Sequence, residues 1–83
     1  MLVTEGLAAC VNLIPGVRSV YRWEGRIFDD PEVLMVVKTT LAAFDALKAR
    51  VLAKHRAKMP EILRLEVADG HVPYLDWVRE SVR

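Results

Sequence analysis

The stretch Cys10-Val11-Asn12-Leu13-Ile14-Pro15-Gly16-Val17-Arg18-Ser19-Val20-Tyr21-Arg22-Trp23-Glu24-Gly25-Arg26-Ile27-Phe28 decides the fold. Val20 lies between Arg18 and Arg22, while Ser19, Tyr21 and Trp23 share the opposite face, which is the two-residue period of a β-strand. Glu24-Gly25 then marks a short turn, and Arg26-Ile27-Phe28 starts a return strand. The three together predict a β-hairpin. Pro15 removes a ladder donor, so Pro15-Gly16 predicts a bulge or bend within the first strand. Asp29-Asp30-Pro31-Glu32 predicts a second bulge in the return strand. Beyond it, Val33 to Val37 is a run of five apolar residues, suited to a strand covered on both faces.

Working outward, Leu2, Val3, Leu7 and Ala8 form a short apolar stripe that reads as the tail of a helix, weakened by Gly6. On the other side, Thr40 is placed as an N-cap. Leu41, Phe44, Leu47 and Val51 recur at helical spacing, predicting a helix that ends near His55. Met59 precedes a proline and is biased to extended backbone. Glu61 to Val67 alternates, with Leu63, Leu65 and Val67 on one face, and predicts a further strand. Asp69-Gly70 marks a turn, and Pro73 suits the first turn of a last helix. In that helix Tyr74 and Trp77 are expected to cover the core. The order is helix end, strand, strand, helix, strand, helix. It describes a single α+β domain over residues 1–83.

Eighty-three residues leave no room for separate cofactor and substrate domains. So short a chain buries only roughly 60–65% of its unfolded surface, and small domains usually add disulfides, metals or partner subunits. Cys10 is the only cysteine, which excludes an internal disulfide and a closed all-cysteine zinc site. With 53% hydrophobic residues and no staple, the composition favours oligomerisation. The net charge of +1 supplies no basic excess for a phosphate backbone, so nucleic acid is not expected as a partner. No apolar run approaches the roughly 20 residues of a membrane span, and no secretory signal opens the chain. A free thiol in that setting points to the cytoplasm.

Several motifs resemble those of the CutA family, the divalent-cation tolerance proteins. Leu7-Ala8-Ala9-Cys10-Val11-Asn12-Leu13-Ile14-Pro15-Gly16 is similar to its opening strand motif. Ser19 to Gly25 resembles its S-x-Y-x-W-x-G hairpin, and Val37-Lys38-Thr39-Thr40 its strand-to-helix junction. Pro60-Glu61-Ile62 resembles its P-E-[IL] segment, and Tyr74-Leu75-Asp76-Trp77 its terminal Y-L-x-W helix. The five matches run in order along nearly the whole chain. They imply a ferredoxin-like α+β sandwich, an antiparallel sheet with helices on one face. The resemblance further implies a homotrimer built by sheet pairing, an architecture similar to PII-like signalling proteins, and a role in tolerance of copper and other divalent ions. It implies no enzymatic reaction.

Two departures stand out. Family members commonly carry H-P-Y-x-x-P-E between helix and strand, whereas this chain has His55-Arg56-Ala57-Lys58-Met59-Pro60-Glu61. Members also begin with a strand and a full helix before L-A-A-C, so relative to the family the chain reads as truncated at its N-terminus. In a ferredoxin-like sheet that first strand lies between the third and the fourth. Without it, Glu61–Val67 loses its main neighbour. The expectation is a sheet repaired by another segment or subunit, or a split sheet.

His55 and Glu61 are the candidate metal ligands. Imidazole and carboxylate both suit copper or zinc, and the resemblance supports both positions. The cation is expected to be copper or another divalent ion, with no cofactor required for folding. Against this stands a plainer reading, in which His55 compensates a helix dipole and Glu61 is solvated. Cys10, in an apolar strand, is expected in the core. Tyr21, Trp23 and Phe28 are expected at a subunit interface. Arg18, Arg22, Arg26, Lys38, Arg56 and Lys58 are a candidate basic pocket for an anion, weighed against solvated faces and ion pairs. They carry the rival reading, a PII-like signalling or scaffolding module that binds a small anionic ligand or an unknown signalling partner between subunits. Ser19 and Ser81 lack a nucleophile-elbow context, and His55 and His71 lack H-E-x-x-H spacing, so no hydrolytic set is present.

Overall fold

The structure, a computed structural model, describes residues 1–55 and 59–83. A long antiparallel hairpin dominates it, formed by β1 (Cys10–Trp23) and β2 (Arg26–Lys38). Two helices follow, α1 (Phe44–Lys54) and α2 (Val72–Ser81). The hairpin turn is at Glu24-Gly25, as predicted. Both residues have positive φ, 50° and 78°, as a two-residue turn between twisted strands requires. The break in β1 is also where proline places it. Ile14 pairs with Leu34 and Val17 with Glu32, so Pro15 and Gly16 together oppose Val33 alone.

The expected second bulge is absent. β2 runs unbroken through Asp29-Asp30-Pro31-Glu32, each residue paired to β1. Polar cross-strand contacts hold this stretch in the ladder. Arg18 Nε donates to Asp29 Oδ1 at 2.8 Å, Ser19 Oγ donates to Glu32 Oε2 at 3.0 Å, and the Tyr21 hydroxyl donates to Asp30. Pro31 is tolerated because, among the described residues, the sheet has only two strands and each is an edge.

Residues 2–6 form a turn in place of a regular helix tail, with the Glu5 N–H donating to the Met1 carbonyl at 2.9 Å. It is tied to both later ends of the chain. The Thr39 hydroxyl donates to the Leu7 carbonyl at 2.7 Å, and the Arg83 N–H donates to the Gly6 carbonyl at 2.9 Å. Gly6 has φ +75°, and a Cβ there would meet Arg83 side-chain carbons at 2.9 Å. The arginine can swing aside but the backbone angle cannot, so Gly6→Ala is expected to cost about 1–2 kcal/mol in urea unfolding. Thr40 is not the N-cap of α1: the helix starts at Phe44 with Ala43 as its N-cap and no side-chain cap bond, and Thr40 Oγ1 accepts from the Ala43 N–H at 3.3 Å within the turn that precedes it. α1 ends at His55, whose N–H donates to the Val51 carbonyl.

Alternation divides the sheet into two unlike faces. Val11, Leu13 and Met35 face α1, since they share a cavity with Val51 and Lys54. Ile14, Leu34 and Val36 point the other way and are exposed. The buried core is thin: Ala8, Ala9, Ala43, Leu47 and Val78. Tyr74 and Trp77 do not cover it. They pack on each other with ring centroids 5.6 Å apart and remain exposed. Cys10 is half-buried.

Glu61–Val67 is not a strand. The strand predicted there does not form within one chain: its backbone lies in no ladder with the described residues. The Arg64 guanidinium sits 5.7 Å from the Phe44 ring of α1, and the apolar residues of the segment include Leu63, Leu65 and Val67. These three are 75%, 89% and 73% exposed.

Candidate metal site and the groove around it

A wide groove runs between β2, α1, residues 59–67 and α2. Val33 to Lys38 supply one bank. Leu63, Leu65 and Val67 supply the other, with Phe44, Leu47 and Val78 between them. The two sequence-derived ligand candidates both line it. His55 arrives as the C-cap of α1, held in extended backbone (φ −78°, ψ 140°) by its N–H bond to the helix. Glu61 follows Pro60 at the start of the unpaired segment. Both are exposed. The end of α1 and the start of the segment thus each contribute a candidate ligand to the lining of this wide groove.

The set stops at two. Among the described residues, no group of three or more histidine, cysteine, aspartate and glutamate side chains is close enough to hold a metal ion. Cys10 lies outside the groove, across the ladder from Lys38.

Among the described residues, Arg18, Arg26 and Lys38 lie apart rather than in one pocket. Arg18 is neutralised by the Asp29 carboxylate, which in turn is held below its usual pKa by that hydrogen bond. Arg26 lies 5.8 Å from the Phe28 ring, and Lys38 is at the far end of β2. Arg56 and Lys58 lie outside the described residues. Tyr21 and Phe28 stack on the hairpin with ring centroids 5.5 Å apart. Asp30, accepting from the Tyr21 hydroxyl, raises the pKa of that phenol.

One ion cluster escaped sequence reading. Glu5 accepts from Arg50 through both carboxylate oxygens, at 2.8 and 2.9 Å, and from the terminal amine of Met1 at 3.0 Å. The Arg50 hydrogen bond is the main cause that lowers its pKa to about 2. A depressed acid stabilises the fold above its unfolded pKa of about 4.3 and loses that contribution as pH falls toward 2. Protection of the amides in residues 2–7, relative to their intrinsic exchange rates, is therefore expected to fall between about pH 4.5 and 2. In Glu5→Gln this acid step should vanish.

Comparison with known proteins settles the lineage. The family model of the CutA1 divalent ion tolerance protein matches residues 1–81. The chain belongs to the CutA1 family. A divalent-cation tolerance protein CutA from Thermus thermophilus is 54% identical over 80 residues, covering 96% of this chain and 78% of that protein. A solved divalent cation tolerance protein from the same organism superposes with a TM-score of 0.95 at 52% identity, covering 99% of this chain and 80% of the other. A Nostoc structure described as a PII-like protein CutA in apo form gives 0.93 at 33% identity, with 99% and 80% covered. The sandwich class implied by the motifs is thus the family's own. The chain spans less than half, 46%, of a chloroplastic rice CutA. CutA relatives are named from more than one compartment, including a periplasmic protein of Archaeoglobus fulgidus. In this chain no described helix is long and apolar enough to cross a membrane.

Proposed function

We propose that the chain is a non-catalytic, cytoplasmic homotrimer that acts in tolerance of divalent ions by coordinating copper or a similar ion reversibly. The observation that carries this reading is that His55 and Glu61 both line one groove in a CutA1-family chain. Imidazole with carboxylate is a borderline donor pair suited to Cu²⁺. Two protein ligands leave positions for water or for a donor from another copy, consistent with weak, exchangeable binding. The stripe Leu63, Leu65, Val67 and the open-face residues Ile14, Leu34 and Val36 supply apolar surface for the subunit contacts.

Copper titration against a competing chelator tests the site. His55→Ala and Glu61→Ala are each expected to weaken Cu²⁺ binding about tenfold or more, the loss of one of two protein ligands. Unchanged affinity in both variants would remove the site and leave the fold standing.

The second reading, a PII-like module binding a small anion or a signalling partner between subunits, is favoured by the likeness to the Nostoc protein. Thermal shift separates the two, because a ligand that binds only the folded state raises its melting temperature. Stabilisation by nucleotides and not by divalent ions would favour the module.

A further inference from the structure

Residues 17–32 form an arm, the far half of the hairpin. Among the described residues, no hydrogen bond, ion pair or ring contact joins the arm to anything outside the hairpin. Contacts across the ladder assign its two faces. Arg18 meets Asp29 on one, and the register sets Val20, Arg22 and Ile27 beside them. On the other, Ser19 meets Glu32, Tyr21 meets Asp30 and Phe28, and Arg26 lies over the Phe28 ring. The faces carry opposite charge. Arg18 and Arg22 outnumber Asp29 on the first, while Asp30 and Glu32 outnumber Arg26 on the second. Among the described residues, Arg22 has no carboxylate partner, and Asp30 and Glu32 accept side-chain hydrogen bonds from hydroxyls alone. Both faces also expose apolar surface, Val20 and Ile27 on the first and Tyr21 on the second.

We propose that the arm is a head-to-tail contact between copies of this chain, in which the basic face of one arm lies on the acidic, aromatic face of the next. A two-fold contact would set each face against itself, Arg22 toward Arg22 or Glu32 toward Glu32. A head-to-tail contact sets unlike charges together, and repeated by rotation it closes a ring. The apolar residues on each face supply the area removed from water. The charges supply orientation and the choice of partner, since like charges brought together are penalised. No residue outside 17–32 takes part, so the inference stands apart from His55 and Glu61. It rests on the homotrimer reading and names a surface that builds it.

Charge reversal tests it on the whole chain. Arg22→Glu turns the first face acidic, and Glu32→Arg turns the second face basic. Sedimentation over a dilution series in low salt, where screening is weakest, reads the effect. Each single variant is expected to come apart at a concentration about tenfold or more above that of the unmodified chain. Arg22→Glu and Glu32→Arg together exchange the signs of the two faces, so the double variant should recover assembly. That recovery also separates a lost contact from a chain that fails to fold. An unmodified chain that runs as single copies would overturn the homotrimer reading and this inference with it. An unmodified chain that assembles while Arg22→Glu assembles equally well, or while the double variant does not recover, would overturn this inference alone.

Discussion

Leu65→Glu is expected to reduce the proposed trimer to single chains. Leu65 is 89% exposed in the single chain, between the exposed Leu63 and Val67. A side chain so placed contributes nothing to the fold of one chain. In a subunit contact its burial is worth about 1.5–3 kcal/mol per copy. A glutamate there adds the cost of burying an unpaired carboxylate, which exceeds what was lost. In a closed trimer the change enters three times. Glu66, adjacent but on the opposite side of the alternation, is the control: Glu66→Ala should leave the assembly intact. Sedimentation of the two variants at equal concentration reads the difference.

Leu47→Ala carries the next largest effect, on the fold itself. Leu47 is 5% exposed and is the largest side chain in a core otherwise made of Ala8, Ala9, Ala43 and Val78. Truncating a buried leucine costs about 2–5 kcal/mol, and the loss is smaller where the surroundings can close in. The open groove beside Leu47 allows some closure, so about 2–3 kcal/mol is expected. At roughly 0.05–0.15 kcal/mol per residue, a chain of this length has a total of only about 4–12 kcal/mol. The variant should therefore melt at a visibly lower temperature. Val51→Ala, at a half-buried position one helical turn on, should cost less than half as much.

The hairpin turn and the bulge at Pro15-Gly16 were legible because their determinants are local. Glu24-Gly25 is one of few pairs that turn two strands in two residues, and Pro15 cannot donate to a ladder. What failed was also local in origin. Asp29-Asp30-Pro31 looks like an interruption when read along one strand. Its partners Arg18, Ser19 and Tyr21 lie on the other strand, and only counting back from the turn brings them opposite. Helix α1 was readable from the spacing of Phe44, Leu47 and Val51. Its burial was not, because spacing reports which face is apolar and not what covers it. The same limit explains Tyr74 and Trp77, apolar in type and yet exposed. For Glu61–Val67, alternation promises a strand only where a neighbour supplies the ladder, and none of the described residues pairs with this segment. At the candidate site, His55 and Glu61 were visible as residue types flanking a helix end. The Glu5–Arg50 pair was not, since 45 residues separate its members and no period links them. The cavity over Val11, Leu13 and Met35 likewise depends on tertiary placement of the N-terminal turn.

The central claim is that the apolar surface left open by one chain is closed by other copies of it. The native mass in solution tests this most directly. Light scattering coupled to size exclusion, at micromolar concentration and moderate salt, should return three times the 9.4 kDa chain, about 28 kDa, unchanged on tenfold dilution. A single species of 9.4 kDa that melts cooperatively would contradict it.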